Sequence, residues 1–275
     1  MNDSTNAESS PRRRGPHQDP GESLFAPDSL SWRLHADPLI GLASLRALLL
    51  QALHPVVADA LDQHSSYGND PWARLERLTE YLGVTTYGAA TAAMLHGSRV
   101  RAVHARITGR TGDGVTYQAD DPQLLAWMHC CLVASVLEIV TRGGAGLSGA
   151  EQDAYVAEQV RSAMLVGLEP DEVPHDRAGL HDYYRVIRPL LSRSPCARQA
   201  VELVVDPGSA DPPTRFPGRR AGLPAWAPVA GLAYAALPPW ARRLYAIDDP
   251  PGPAGLPDAA TTTALRALRA AAVTP

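Results

Sequence analysis

Leu124 to Val140 is an apolar run of 17 residues, LLAWMHCCLVASVLEIV, interrupted only by His129, Ser135 and Glu138. A segment that long and apolar on every side is a helix that must be covered all round. It falls short of the roughly 20 residues that cross a bilayer, so it predicts the central buried helix of a helical bundle. The chain is large enough to cover it: 275 residues with 45% apolar and 20% charged side chains support one large core. Fibrous, collagen-like and wholly disordered architectures are excluded.

The charge balance narrows the partners. A net charge of −4 and a pI near 6.1 do not suit a protein that neutralises many phosphates, so nucleic acid is not the expected partner. All 25 basic residues are Arg and none is Lys, which excludes Schiff-base catalysis, a phosphate-loop lysine and a lysine base. Cys130, Cys131 and Cys196 are an odd count in a chain too large for a disulfide scaffold; they read as reduced thiols of a cytosolic protein. The N-terminus has basic residues but no apolar stretch behind them, so no signal peptide is expected and neither is stable membrane insertion. A homodimer is compatible with this composition.

Start and stop signals divide the chain. Residues 1–28, rich in Pro, Ser, Asp and Arg, are expected to be a disordered tail. A helical core follows over 29–206, a Pro/Gly-rich linker over 207–224, and a helical extension over 225–275. In the core, the apolar segment 42–53 meets Pro55, which removes the N–H that the Gln51 carbonyl would accept, so the helix must kink at His54-Pro55. Asp70-Pro71 and Asp121-Pro122 each pair an N-cap with an N1 proline, opening helices over 71–81 and through the apolar run. A helix is expected over 89–108. The stretch GRTGDGVTYQADD reads as a turn or small hairpin, and Ser148 with Glu151 as a capping box for a helix to about Val166 with Gly167 just past its end. Further helices are expected at 177–192, 195–205, 226–246 and 260–272. The expected fold is all-α.

Histidines supply most of the candidate chemistry, and four of the nine fall within helical segments predicted to be buried: His54, His96, His104 and His129. His104 shares one stripe with Val100, Ile107 and Gly97. It is either a hydrogen-bonded core histidine or an imidazole beside a glycine that leaves room for a flat macrocycle. His129 lies in a helix that offers it no compensation, and a buried imidazole needs a partner: a carbonyl, another histidine, a water or a ligand. Adjacent Cys130 and Cys131 lack CxxC spacing and point to different helix faces, which argues against zinc. His54 stands at a helix break, where either a structural role or a site is expected. Arg74 and Arg77 are a solvated face or anion clamps. Nucleophile-elbow, dinucleotide, zinc-helix and kinase signatures are absent.

Four blocks in order, RALLLQALHPVVADALDQHS, DPWARLERLTEYLGVTTYG, RVRAVHARITG and DDPQLLAWMHCCLVASVLEIVTRGG, closely resemble the bacterial proteins grouped with latex-clearing protein (rubber oxygenase) and the oxygenase of mycophenolic acid biosynthesis. The resemblance spans about 38–205 and continues weakly through LPPWARRLY. It implies an all-α, globin-like bundle around a b-type haem and O₂ or H₂O₂ chemistry on an apolar or natural-product-like small molecule. By motif, His104 of VHARITG resembles the proximal iron ligand, with Gly97 and Val100 beside the haem. Of the family's Arg-x-x-x-Thr pattern, Arg74 matches, Leu78 stands in the threonine position and Thr79 follows it. The lysine that rubber oxygenases carry in that stretch has no counterpart. Arg74 or Arg77 would bind an oxygen species or a propionate, and His54 or His129 would move protons. The alternative is a non-catalytic haem- or lipophile-binding bundle, a sensor or carrier.

Overall fold

A computed structural model describes residues 22–64, 71–195, 197, 198, 201, 226–248, 250 and 252–273. Among them are eleven α-helices: α1 (Leu30–His35), α2 (Ile40–Gln51), α3 (Pro55–His64), α4 (Pro71–Tyr87), α5 (Ala90–His104), α6 (Pro122–Arg142), α7 (Gly149–Leu165), α8 (Arg177–Ile187), α9 (Trp226–Ala235), α10 (Pro239–Tyr245) and α11 (Asp258–Val273). The remaining regular structure is short 3₁₀ turns and one antiparallel hairpin, β1 (Thr108–Arg110) with β2 (Thr116–Gln118), in which Gly109 pairs with Tyr117. The chain is therefore mostly helical, as its periodicity predicts, with the hairpin where the turn glycines lie.

The apolar run forms α6, capped by Asp121, whose side chain accepts from the Gln123 N–H. It is long and apolar enough to cross a bilayer, yet 72% of its most apolar window is buried within the protein. It packs chiefly against α2, and polar ties fix their register. Pro55 cannot donate to the Gln51 carbonyl; the Trp127 indole N–H does so instead, at 3.1 Å. The Gln51 amide donates to the Met128 carbonyl at 3.0 Å. The break bends α3 from α2 by 105°, so a backbone group freed by proline becomes a docking point for the central helix. Each branched side chain buried along this seam contributes on the order of 2 kcal/mol.

Two expected boundaries differ. Residues 22–28 are not tail: Phe25 is fully buried in a cluster with Leu24, Ala93 and Leu165, and the Glu22 carbonyl accepts from the Ala90 N–H. That strand-like segment does for α5 what a capping side chain would do, because Ala89 at the N-cap has none. The C-terminal helices are part of the same core rather than an appendage. Ala230, Ala233, Tyr245 and Leu265 are fully buried within it, the Arg46 Nε–H donates to the Ala236 carbonyl at 2.9 Å, and the Tyr245 hydroxyl donates to the Leu49 carbonyl. Small side chains on α9 allow this close approach, and their uniform apolarity carries no sign of which layer they join. Most of the expected 195–205 helix, the 207–224 linker and residues 1–21 lie outside the described residues.

Candidate functional site

Five helices enclose a cavity of about 440 Å³. Leu48 and Gln51 of α2, Leu125, Met128, His129 and Leu132 of α6, and Gln159 and Ser162 of α7 line it, with Val166 just beyond α7. Arg77, Leu78, Glu80, Tyr81 and Leu82 of α4 and His96, Val100 and His104 of α5 complete the lining. The spacings follow from helix geometry. Positions 96, 100 and 104 recur every four residues on α5, and 125, 128, 129 and 132 do the equivalent on α6.

Helix α5 carries two of the imidazoles, and two contacts hold it on the C-terminal end of α7. Gly97 faces Leu165, where a Cβ would come within 2.6 Å of the Leu165 carbonyl oxygen. Arg101 donates to that same carbonyl, one of the acceptors left open at a helix end. The missing side chain at 97 thus serves the approach of two helices, and Gly97 is not in the cavity lining; this corrects its expected place beside a macrocycle.

The remaining assignments divide. Val100, His104, His129 and Arg77 line the cavity together; Arg77 and Glu80 are both exposed and stand at its mouth. Arg74 lies on α4 one turn before Leu78, with its side chain outside those described. Leu78 faces the cavity while the Thr79 hydroxyl donates within its own helix, 3.0 Å from the Leu75 carbonyl and 2.9 Å from that of Glu76. The residue at the family's threonine position therefore presents only hydrocarbon. His54 does not line the cavity. It is 7% exposed at the bend between α2 and α3, its ring centroid is 6.2 Å from that of Trp127, and its Nδ1 has no hydrogen-bond partner among the described residues. Burial lowers its pKa, partly opposed by the Asp121 charge.

His129 is held neutral: burial pushes its pKa down to about 4, because no opposite charge offsets the loss of hydration. Other polar groups of the lining are engaged. The Tyr81 hydroxyl donates to the Ser162 carbonyl at 3.3 Å, and the Gln159 amide donates to the Ser31 hydroxyl at 2.7 Å. His96, its ring centroid 5.7 Å from that of Tyr81, is the lining imidazole that received no role from the sequence; its place two turns before His104, through Val100, was the available signal. Cys130 and Cys131 are buried free thiols raised far above their usual pKa by burial, hence neutral and inert. Among the described residues, no group of three or more His, Cys, Asp or Glu side chains could hold a bare metal ion.

Chemically, the site is a largely apolar chamber with imidazoles on two walls, neutral at His129, and with Arg77 and Glu80 at the entrance. The family described as "ER-bound oxygenase mpaB/B'/Rubber oxygenase, catalytic domain" matches residues 32–274, which takes in α9, α10 and α11. Comparison with curated proteins and with solved structures finds no match.

Proposed function

Because the chain belongs to the family of the mpaB/B' and rubber oxygenase catalytic domain, we propose that it is a haem b-dependent oxygenase, an oxidoreductase that uses O₂ or H₂O₂ on an apolar or natural-product-like small molecule. The observation that carries the reading is the convergence of His104 and a second imidazole wall on one apolar cavity of about 440 Å³.

The donor set fits haem better than a bare ion. Structural or catalytic ions ask for three or more clustered protein donors, and none cluster among the described residues. A haem brings its own four nitrogens and asks the protein for one or two axial side chains and apolar walls. His104 would be the proximal ligand, with Val100 one turn away against the same face. Arg77 at the mouth would pair with the anionic propionate edge; Arg74, on the same helix, would share that task or hydrogen-bond the oxidant. When bound, the haem would supply the activation of dioxygen or peroxide. Leu78, Leu82, Leu125, Leu132 and Val166 exclude water and select an apolar substrate. His129, neutral at physiological pH, would offer an uncharged ring nitrogen inside the chamber, although burial makes it a weak base. A globin-like arrangement of the bundle around haem and a cytoplasmic location belong to the same proposal.

The test is purification with haem supplementation, followed by absorption spectroscopy and measurement of O₂ or H₂O₂ consumption with a panel of apolar substrates. Non-covalent haem extractable by acid–acetone is expected, since the chain has no C-x-x-C-H motif. A protein that neither carries haem nor takes up hemin would end the reading. One that binds hemin but turns over no oxidant would be a carrier or sensor instead.

A further inference from the structure

We propose that His129 is the second axial ligand of the resting haem, opposite His104, so that the loaded protein rests as a bis-histidine, six-coordinate species. The inference rests on the haem reading and goes beyond it, since an oxygenase needs only one protein ligand and an open face.

Three observations converge on this residue. Helix α5 packs against α4 and α7, whereas α6 packs against α2 and α7; the cavity lies between the helices that carry His104 and His129. A flat group seated between them would meet α5 on one side and α6 on the other. Next, the other imidazoles and cations fail on position or chemistry, which leaves Met128 on the same wall as the competitor that the experiment must separate. His96 is on the same face of α5 as His104, two turns away, and approaches from the same wall; His54 is outside the lining. An arginine keeps its proton and offers no lone pair, and the chain has no lysine. Finally, the ring of His129 has no hydrogen-bond partner among the described residues, while Gln51, Tyr81 and Gln159 around it are bonded. The ring is half-buried in the cavity wall rather than sealed in the core. An imidazole left over in a wall of Leu125, Met128 and Leu132 is suited to a partner that the apoprotein does not contain. In such a resting state the His129 side must detach before an exogenous ligand binds, which makes α6 the gate to the reactive face.

The experiment is electron paramagnetic resonance and absorption of the ferric, hemin-loaded full chain, comparing wild type with His129→Gln, His129→Ala, His96→Gln and Met128→Leu, each checked for helix content by circular dichroism. The expected result is a low-spin wild type, conversion to high spin in both His129 variants, return to low spin when free imidazole is added to His129→Ala, and no change in His96→Gln or Met128→Leu. A high-spin wild type, or low spin retained in a folded His129→Gln, overturns the assignment. Loss of low spin in Met128→Leu alone assigns the thioether and likewise overturns it. Should a His129 variant fail to fold, the wild-type spin state and the Met128→Leu spectrum still decide. A wild type that takes up no hemin overturns the haem reading and this inference together, whereas one that takes it up and is high-spin overturns this inference alone.

Discussion

Two interior histidines titrate alike and live differently. His35, on α1, and His129, on α6, are each pushed down to about 4 by burial. His35 is fully engaged: its Nδ1 is 2.6 Å from the Thr86 hydroxyl and its Nε2 3.1 Å from that of Tyr155, so a neutral ring donates through one nitrogen and accepts through the other. Its ring also meets Tyr155 edge-on at 5.9 Å. His129 stands in a cavity wall with no partner among the described residues. Burial sets the charge state in both places; the difference between a structural residue and a candidate ligand lies in whether the ring nitrogens are hydrogen-bonded.

Substitution should separate the two most sharply. His35→Leu leaves the buried hydroxyls of Thr86 and Tyr155 unpaired, and a loss of about 3 kcal/mol in chemical denaturation is expected. The pH profile carries the signature of His35 beside a like contribution from His129. With a folded value of about 4 against an ordinary 6.5, the unfolded chain binds the proton first. Stability is therefore complete above pH 6.5 and falls as the pH drops towards 4, by on the order of 3 kcal/mol. His35→Leu should remove the share of that acid slope due to His35 and leave the like share of His129; an unchanged slope would mean that the His35 ring is not held neutral by the fold.

Gly97→Ala tests the seat of the imidazole wall rather than an imidazole. Its Cβ would meet the Leu165 carbonyl oxygen at 2.6 Å, and backbone cannot give way as a flexible side chain can, so about 2 kcal/mol of destabilisation is expected with weaker hemin binding. The smallest effect should come from His129→Leu in the apoprotein. It removes an unpartnered polar ring from an apolar wall, so stability should change by less than about 1 kcal/mol, in either direction. A loss as large as that of His35→Leu would show that His129 has a structural partner after all and erase the contrast.

The central helix, the bend at Pro55 and the caps at Asp121 and Ser148 were legible because each rests on local chemistry: period, a missing N–H, a side-chain oxygen within three residues. So was the stripe joining Val100 to His104. What sequence spacing could not supply was tertiary. Gly97 has the same freedom whether a macrocycle or Leu165 lies opposite, and only packing decides. The place of His54 at the helix break was legible, but that His129 lines the cavity while His54 does not was not. His35 was passed over for want of any pattern, because Thr86 and Tyr155 come from distant helices. The tail drawn to residue 28 ran too far, since Leu24 and Phe25 are apolar islands in a polar stretch whose partners lie at Ala93 and Leu165.

Hemin titration of the wild type, His104→Ala and His175→Ala, followed by absorption, tests the account most directly. His175 is outside the cavity lining, in a turn where its Nε2 lies 2.8 Å from the Pro170 carbonyl. The wild type and His175→Ala should bind one hemin with the same affinity and spectrum, whereas His104→Ala should bind about tenfold or more weakly, a difference of about 1.4 kcal/mol at least, with an altered ferric spectrum. Equal affinity and identical spectra in all three proteins would contradict the assignment of His104 as the residue around which the site is built.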